Sequence, residues 1–291
     1  MVQSMTGYGS HTISSENYKV TVELKSLNSK YIEINMKLPR TYIQHEMTLR
    51  NHMTQQLKRG KVNAILDVEV LNPEKQKFRI NKDLVKSYAA DLKSLHDDLG
   101  LTNGVNLEYL LGLPDSIRTD NDGDDPEEWS LIEICFQHAT KSLSESRHKE
   151  GKALERDLRI RADLIMRQLE QIRERIPARI EAIRSRVLSS LNEIQDRVNI
   201  DGNRFEQELI YYIEKLDINE EMVRLKKHLQ YFEQTLSEDF SNGKKLGFIS
   251  QEMGREINTI GSKANDADIQ VYVVKMKEEL EKIKEQVLNI V

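Results

Sequence analysis

The sequence predicts an α+β protein: a small N-terminal sheet domain with one packed helix, followed by a long helical arm and C-terminal antiparallel helices. Three observations predict this class. Apolar residues alternate at period two through roughly the first 75 residues, as in half-buried strands. From Lys82 onward their spacing becomes helical. Charged residues make up 31% of the 291 residues and hydrophobic residues 38%, which is typical of long solvated helices.

The N-terminal unit combines strands with one helix. The segments NYKVTVELKSLN and KYIEINMKLP alternate apolar and polar residues, and KVNAILDVEVL does the same after the helix. Between them, TYIQHEMTLRNHMTQQLKRG has helical spacing. Its apolar face is predicted to contain Ile43, Met47, Met53 and Leu57, and Gly60 is its predicted C-terminal stop. The predicted order is therefore β-β-β-α-β.

Three regions follow from these patterns. Residues 1–155 form the N-terminal region, with the sheet to about residue 75 and helices beyond it; residues 156–206 form the arm and linker; residues 207–291 form the helical domain that carries the predicted active site. Pro177 is the predicted break in the helical pattern of residues 128–200. The acidic run RTDNDGDDPEEW is interpreted as a solvated linker. It fails the calcium-loop template because Asp125 replaces the glycine and Leu131 the final glutamate.

Composition excludes several classes of protein. A formal charge of −5 argues against a non-specific DNA coat, although a local patch remains compatible with RNA. No apolar run reaches the roughly 18 residues of a membrane span, and the N-terminus lacks the pattern of a signal peptide. The single cysteine, Cys135, lies in an apolar run and is predicted to be a core residue. We therefore expect a cytoplasmic protein that does not enter a membrane.

Two C-terminal segments place charged residues beside an apolar stripe. In LDINEEMVRLKKHLQYFEQTL the stripe consists of Met222, Leu225, Leu229, Phe232 and Leu236. In KLGFISQEMGREINTIGSKA it consists of Ile249, Met253, Ile257, Ile260 and Ala264. If the two helices pair through these stripes, their flanks face each other across a groove. The residues predicted to converge there are Glu221, His228, Glu252 and Glu256.

Carboxylates with one imidazole have a recognised chemical use. Such a ligand set suits Mn²⁺ or Mg²⁺, and a bound divalent ion activates water for phosphodiester cleavage. A simpler interpretation is equally available from spacing alone. Like charges one turn apart destabilise a helix by only about 0.2–0.5 kcal/mol, so surface helices tolerate them. His228 also fits the edge of a helix pair as a hydrogen-bonded residue.

Basic and polar residues near these flanks, and a second basic turn at KRGK, are candidates for binding RNA. They are Arg224, Arg255, Asn258, Lys263, Lys58, Arg59 and Lys61. A solvated side chain is the alternative for each of them. Gly254 and Gly261 lie seven residues apart and hence on one helix face. Because each costs about 1 kcal/mol relative to alanine, they predict the close approach of another backbone or of a ligand.

Several motifs resemble one family of bacterial proteins. SMTGYG, LNSKYIEINMKLP, RGKV, RHKEGKALERDL and above all GKKLGFISQEMGREINTIGSKAND are similar to the YicC/YloC family. The resemblance covers the whole chain, with an N-terminal region to about residue 155 and a C-terminal region from about residue 207. It implies a cytoplasmic endoribonuclease that cuts single-stranded RNA, depends on a divalent metal such as Mn²⁺, and assembles as a homo-oligomer, specifically a hexamer.

The leading hypothesis is therefore metal-assisted hydrolysis of RNA. Glu252, Glu256 and Glu221 would hold the ion, and His228 would act as a ligand or as a general acid or base. Arg224, Arg255 and Lys263 would hold the phosphate. Two alternatives remain open at this stage: an RNA-binding adaptor without activity of its own, and a structural oligomer whose charged flanks form salt bridges. Attack by the 2′-hydroxyl of RNA, which tolerates chelators, is a variant of the leading hypothesis.

Overall fold

A mixed four-stranded sheet forms the N-terminal unit. The computed structural model describes residues 2–57, 59–75, 78–100, 106–119, 125–195, 202–238 and 243–291. Strands β1 (Gly7–Ser14), β2 (Tyr18–Leu27), β3 (Ile32–Lys37) and β4 (Gly60–Val70) lie in the order β1-β2-β4-β3. β2 pairs antiparallel with both β1 and β4, whereas β3 runs parallel to β4. A parallel pair requires a crossover, which helix α1 (Glu46–Gln56) provides.

The period-two pattern correctly predicted which strand residues enter the core. Val20, Val22 and Leu24 of β2 and Val62 of β4 are all fully buried. The predicted face of the crossover helix was wrong at its start, because Ile43 and Met47 are 56% and 64% exposed. Residues Arg40–His45 form a 3₁₀ turn, whose tighter winding puts Ile43 out of phase with α1, and Met47 lies in the first turn of α1 on a different face from the buried residues. Within α1 itself the buried residues are Leu49 and Met53.

A small second unit extends from the sheet. It contains strand β5 (Phe78–Ile80), helices α2 (Lys82–Asp98) and α3 (Leu107–Leu111), and strand β6 (Ile117–Thr119), which pairs antiparallel with β5. Asn81 caps α2 by accepting a hydrogen bond from the backbone N–H of Leu84.

Helix α4 (Pro126–Gln195) connects the two halves of the molecule. At 70 residues it is about 105 Å long. Its first turns cover the sheet through Cys135 and Phe136, and a later section enters the C-terminal core. The predicted interruption at Pro177 does not occur, and residues on both sides of it, Ile172 and Ile183, are buried. Cys135 is a core residue as predicted, and burial raises the pKa of its thiol to about 11.

The C-terminal half is a bundle of antiparallel helices. α5 (Gly202–Lys215), α6 (Asn219–Ser237), α7 (Gly243–Ala264) and α8 (Ala267–Val287) follow in order, and the two C-terminal segments singled out in the sequence are α6 and α7. All ten residues of the two predicted apolar stripes are buried, so the predicted pairing of α6 with α7 is confirmed. Helix α8 closes the core against both α4 and α7. Within the part of the chain that the structure describes, no helix has the length and apolar character needed to cross a membrane.

The N-terminal segment locks the two halves together. Met5 N–H donates to Asn289 O at 2.8 Å, and Val291 N–H donates to Gln3 O at 3.0 Å. Gly151 of α4 permits this crossing, because a Cβ there would lie 2.2 Å from Val2 O. The buried Arg147 guanidinium adds donors to Ser4 O at 2.8 Å and to Arg59 O at 2.6 Å. The turn that precedes β4 is therefore held rigidly beside the C-terminal helices.

The described end of the acidic run is not a solvated linker. Asp125 accepts hydrogen bonds from Lys75 Nζ at 2.8 Å and from the Tyr18 hydroxyl at 2.9 Å. The bond from Lys75 is the largest cause that lowers the pKa of Asp125 to about 2, against an ordinary value of 3.8. Residues 120–124 lie outside the described residues.

We expect the unfolding free energy of the Asp125→Asn variant to decrease less than that of the wild type as the pH falls. A carboxyl whose pKa is lowered by folding stabilises the protein above its ordinary pKa, and this contribution is lost as the pH falls from about 4 towards 2. The urea midpoint of the wild type should therefore fall more between pH 5 and pH 3 than that of the variant. Equal decreases in the two proteins would show that this carboxylate is not linked to folding.

Candidate functional site

The charged flanks of α6 and α7 meet along the side of the bundle. Lys263 Nζ lies 2.7 Å from Glu221 Oε1 at one end, and Lys245 Nζ lies 2.7 Å from Glu238 Oε1 at the other. These two pairs fix the antiparallel register and place His228 at the level of Glu256. We call this surface the α6–α7 flank and define it by Glu221, His228, Thr235, Glu252, Glu256 and Lys263.

Buried polar atoms without partners are concentrated on this flank. The side chain of Glu221 is 7% exposed, and its Oε1 is held by Lys263. Its Oε2, Thr235 Oγ1 and Glu252 Oε1 are buried and have no hydrogen-bond partner among the described residues. A buried polar atom left unsatisfied costs about 1–3 kcal/mol, so such atoms in a native structure call for an explanation. A ligand or bound water on the flank would provide one.

The charge of Glu252 is only weakly compensated by Arg255. Arg255 Nη1 lies 2.8 Å from Glu252 Oε1, yet that oxygen receives no hydrogen bond. The guanidinium lies close to this oxygen without the alignment of a hydrogen bond, so the contact is an ion pair only. Because Arg255 is 74% exposed, solvent screens the pair and it contributes little to stability. The guanidinium is therefore available to an anionic ligand.

His228 and Glu256 are the remaining polar pair of the flank. Both side chains are half-buried. Neither forms an ion pair with another described residue. An imidazole and a carboxylate at the same level of a groove are suited to proton transfer.

The predicted convergence on a metal ion is not found. Among the described residues, no group of three or more His, Cys, Asp or Glu side chains is arranged to hold a metal. The physical reason is the register, because Glu221 and His228 lie seven residues apart, about 10 Å along the helix axis. One of the two oxygens of Glu221, Oε1, is also held by Lys263. Glu221, His228, Glu252 and Glu256 are thus spread along the groove, and the described side chains of one chain do not fit a three-ligand site.

The basic residues predicted to bind RNA occupy separate places. Arg224 pairs with Glu220 on its own helix. Arg255 and Asn258 lie on the exposed face of α7. Lys61 is 4.0 Å from Glu33 on the sheet, and Lys58 lies outside the described residues. The RNA-binding role of these residues, of Arg59 and of Lys263 stays a prediction.

Gly254 and Gly261 of α7 have a packing role. A Cβ at Gly254 would lie 3.2 Å from Leu280 Cδ2, and one at Gly261 would lie 3.0 Å from Val273 Cγ1. The approaching element is helix α8, which reaches these glycines with its side chains and not with its backbone, so the predicted approach of a backbone is wrong. The glycines therefore face away from the α6–α7 flank.

Sequence reasoning missed part of the α6–α7 flank and a separate cavity. Continuing the steps of three and four residues from His228 along α6 reaches Tyr231 and Thr235, so helical spacing contained the signal for both. Lys245, which lies 4.8 Å from the Tyr231 ring centroid, belongs to the same surface. A cavity between α7, α8 and Arg59 was also missed, because its residues are distant in sequence.

Comparisons with known proteins agree along the whole chain. The family model described as "Endoribonuclease YicC-like, N-terminal region" matches residues 2–156, and "Endoribonuclease YicC-like, C-terminal" matches residues 172–291. A "Probable endoribonuclease YicC" of Clostridioides difficile is 35% identical over the full length of both chains. A protein of the same name from Haemophilus influenzae is 29% identical, again over the full length of both.

Proposed function

The chain belongs to the family of YicC-like endoribonucleases, and from this premise we propose that it hydrolyses phosphodiester bonds within single-stranded RNA. The relatives are named for endoribonuclease activity. The structural observation that supports the proposal best is the α6–α7 flank, where buried oxygens without partners adjoin an imidazole and a carboxylate. These groups can accept and donate protons and bind a polar ligand.

Cleavage needs one proton removed and one supplied. A base takes a proton from the attacking oxygen, the new P–O bond forms, the bond from phosphorus to the 5′-oxygen breaks, and an acid protonates that 5′-oxygen. The register places His228 and Glu256 at the same level of the α6–α7 pair, and these two residues would share the roles. The Lys263 ammonium, fixed 2.7 Å from Glu221 Oε1 and about 10 Å along the helix axis from His228, would hold a neighbouring phosphate of the strand. Arg255 and Asn258 would hold neighbouring parts of the strand.

The attacking oxygen belongs either to water or to the adjacent 2′-hydroxyl. The resemblance implies that Mn²⁺ or Mg²⁺ is required, and such an ion would activate water and hold a phosphate oxygen. Since the described side chains of one chain do not supply three ligands, we assign no ligand and derive no step through the ion. Metal dependence is therefore a separate part of the proposal, and treatment with a chelator tests it.

Self-association as a hexamer and a cytoplasmic location complete the proposal. On α5, Ile210, Tyr211 and Tyr212 are 57%, 59% and 56% exposed. Exposed apolar side chains grouped in this way are typical of contact surfaces between proteins. Light scattering coupled to gel filtration would measure the number of chains.

The test is cleavage of an end-labelled single-stranded RNA by purified protein. Wild type and the Glu252→Gln/Glu256→Gln variant are compared with Mn²⁺ and with EDTA, after gel filtration shows that both have the same number of chains. We expect cleavage by the wild type and a loss of at least about tenfold in the variant, because a positioned acid or base contributes about 10²–10⁴-fold. Loss of cleavage in EDTA would support metal dependence.

The other outcomes separate the alternatives. Equal cleavage by wild type and variant would overturn the assignment of the site but not the activity. RNA binding without cleavage by either protein would favour the adaptor, and neither binding nor cleavage would favour the structural oligomer. The ends of the products identify the nucleophile, because only attack by the 2′-hydroxyl leaves a cyclic phosphate.

A further inference from the structure

A cavity of about 550 Å³ lies where the sheet unit meets the C-terminal helices. The first turns of α7 and the last turns of α8 form its sides, and Arg59 reaches it from the turn before β4. We call it the joint cavity and define it by Arg59, Lys244, Gly247, Phe248 and Lys284. Its volume falls within the range of small-molecule sites, about 300–1,000 Å³.

Gly247 is the first indication that the cavity is a binding site. A glycine inside a helix costs about 1 kcal/mol relative to alanine, and close packing accounts for Gly254 and Gly261. Packing does not account for Gly247, since the nearest atom to a Cβ there would be Val287 Cγ1 at 3.8 Å. A side chain at this position would instead occupy the cavity. The glycine therefore keeps the space open.

The side chains around this space form the second indication. Phe248 is 63% exposed and lines the cavity, so its ring is accessible to a ligand there. Arg59 donates its Nε to Ser29 O at 3.0 Å, and Arg147 holds its backbone carbonyl, so the guanidinium is fixed in position. Lys244 adds an exposed ammonium. The combination of an exposed aromatic ring with fixed cations is typical of proteins that bind single-stranded nucleic acid.

The acidic residues of the cavity lie on the α8 side. Glu281 Oε1 is 2.7 Å from Lys284 Nζ, so this pair is largely self-neutralised, and Glu285 is the other carboxylate. The two cations that pair with no described carboxylate are on other elements, Arg59 in the turn before β4 and Lys244 in the first turn of α7. A phosphate is therefore favoured near Arg59 and Lys244, with the base against Phe248.

We propose that the joint cavity binds one unpaired nucleotide of the RNA strand and anchors it for cleavage at the α6–α7 flank. This inference rests on the proposed function, and it assigns a subsite to residues with no part in proton transfer. Phe248 and Glu256 are about 12 Å apart along α7, so one strand can engage both. The anchor contributes to RNA affinity, and the chemical step depends on the flank.

The test measures binding of a fluorescein-labelled oligouridylate of about ten nucleotides by anisotropy, with cleavage of a longer single-stranded RNA assayed in parallel. Gly247→Leu fills the cavity without a change of charge, and Phe248→Ala removes the ring. We expect each to weaken binding about tenfold, because stacking of one base contributes to affinity on this scale. Tyr109→Ala is the matched control, since it removes an aromatic ring that is 73% exposed on α3. It should bind as the wild type does.

The results distinguish this inference from the activity itself. If the wild type cleaves and binds RNA but both cavity variants bind equally well, the subsite is overturned while the endoribonuclease stands. If Phe248→Ala changes the number of chains and leaves RNA affinity unchanged, Phe248 belongs to an interface and the subsite is again overturned. A wild type that neither binds nor cleaves RNA would overturn both.

Discussion

The Arg179→Met variant is expected to lose about 3 kcal/mol of unfolding free energy, because it leaves buried carbonyl groups without a donor. Arg179 is 5% exposed and lies on α4 beside the end of α7. Its Nε donates to Ala264 O at 2.6 Å, and one Nη donates to both Leu216 O and Lys263 O at 2.9 Å. Burial lowers the pKa of this guanidinium, an effect that nearby Asp266 and Asp217 oppose.

Arg175 provides the matched control on the same helix, one turn earlier. Its side chain is 46% exposed and pairs with Asp268 at the surface. An exposed ion pair contributes only about 0–1 kcal/mol, so Arg175→Met should be nearly neutral. Urea unfolding of the two variants beside the wild type gives the comparison. Similar losses in both would show that the buried hydrogen bonds of Arg179 do not carry the effect.

Substitution of Arg179 should also disturb the position of Lys263 on the α6–α7 flank. The carbonyl of Lys263 accepts from Arg179, and the side chain of Lys263 holds Glu221. Arg179→Lys keeps the charge, but a single ammonium does not reproduce the planar fork that reaches three carbonyls. We therefore expect it to be intermediate in stability and to reduce cleavage more than Arg175→Met does.

The sequence predicted local structure better than it predicted the site. All ten residues that apolar spacing assigned to the α6 and α7 stripes are buried, because periodicity reports directly which face of a helix is buried; Leu246, which was not assigned, belongs to the same core. The register between the helices is a tertiary property, and it decides that Glu221 lies beside Lys263 and about 10 Å along the axis from His228. The joint cavity could not be predicted from the sequence for the same reason. Arg59 and Lys284 become neighbours only when the sheet unit docks on the bundle.

Pro177 shows the opposite kind of failure, in which tertiary packing overrides a strong local signal. A proline in a helix interior removes one hydrogen bond and costs about 3 kcal/mol. Here Ile172 and Ile183 are buried on either side of it, and Arg179 is bonded two residues further on. These contacts hold both sides of the proline to the bundle, so α4 continues through it.

The His228→Asn variant is expected to lose about 10²–10⁴-fold in the rate of RNA cleavage, the usual contribution of a general acid or base. Asparagine keeps a polar side chain of similar reach but does not titrate. The corresponding limb of the pH–rate profile should therefore disappear, which a purely structural role would not cause. His52→Asn is the control, since His52 is a half-buried histidine on α1 of the sheet unit. It should keep the activity and the profile of the wild type.

A double-variant cycle tests the pairing that the register implies. If His228 and Glu256 transfer protons in one reaction, removing both should cost little more than removing His228 alone, because groups that act as a unit are strongly non-additive. Independent sites would instead multiply their losses. Multiplied losses would mean that the two residues act in separate steps, and full activity in His228→Asn would remove the imidazole from the mechanism. The comparison reports on chemistry only if the two single variants and the double variant unfold in urea as the wild type does. We expect this result because both residues are only half-buried.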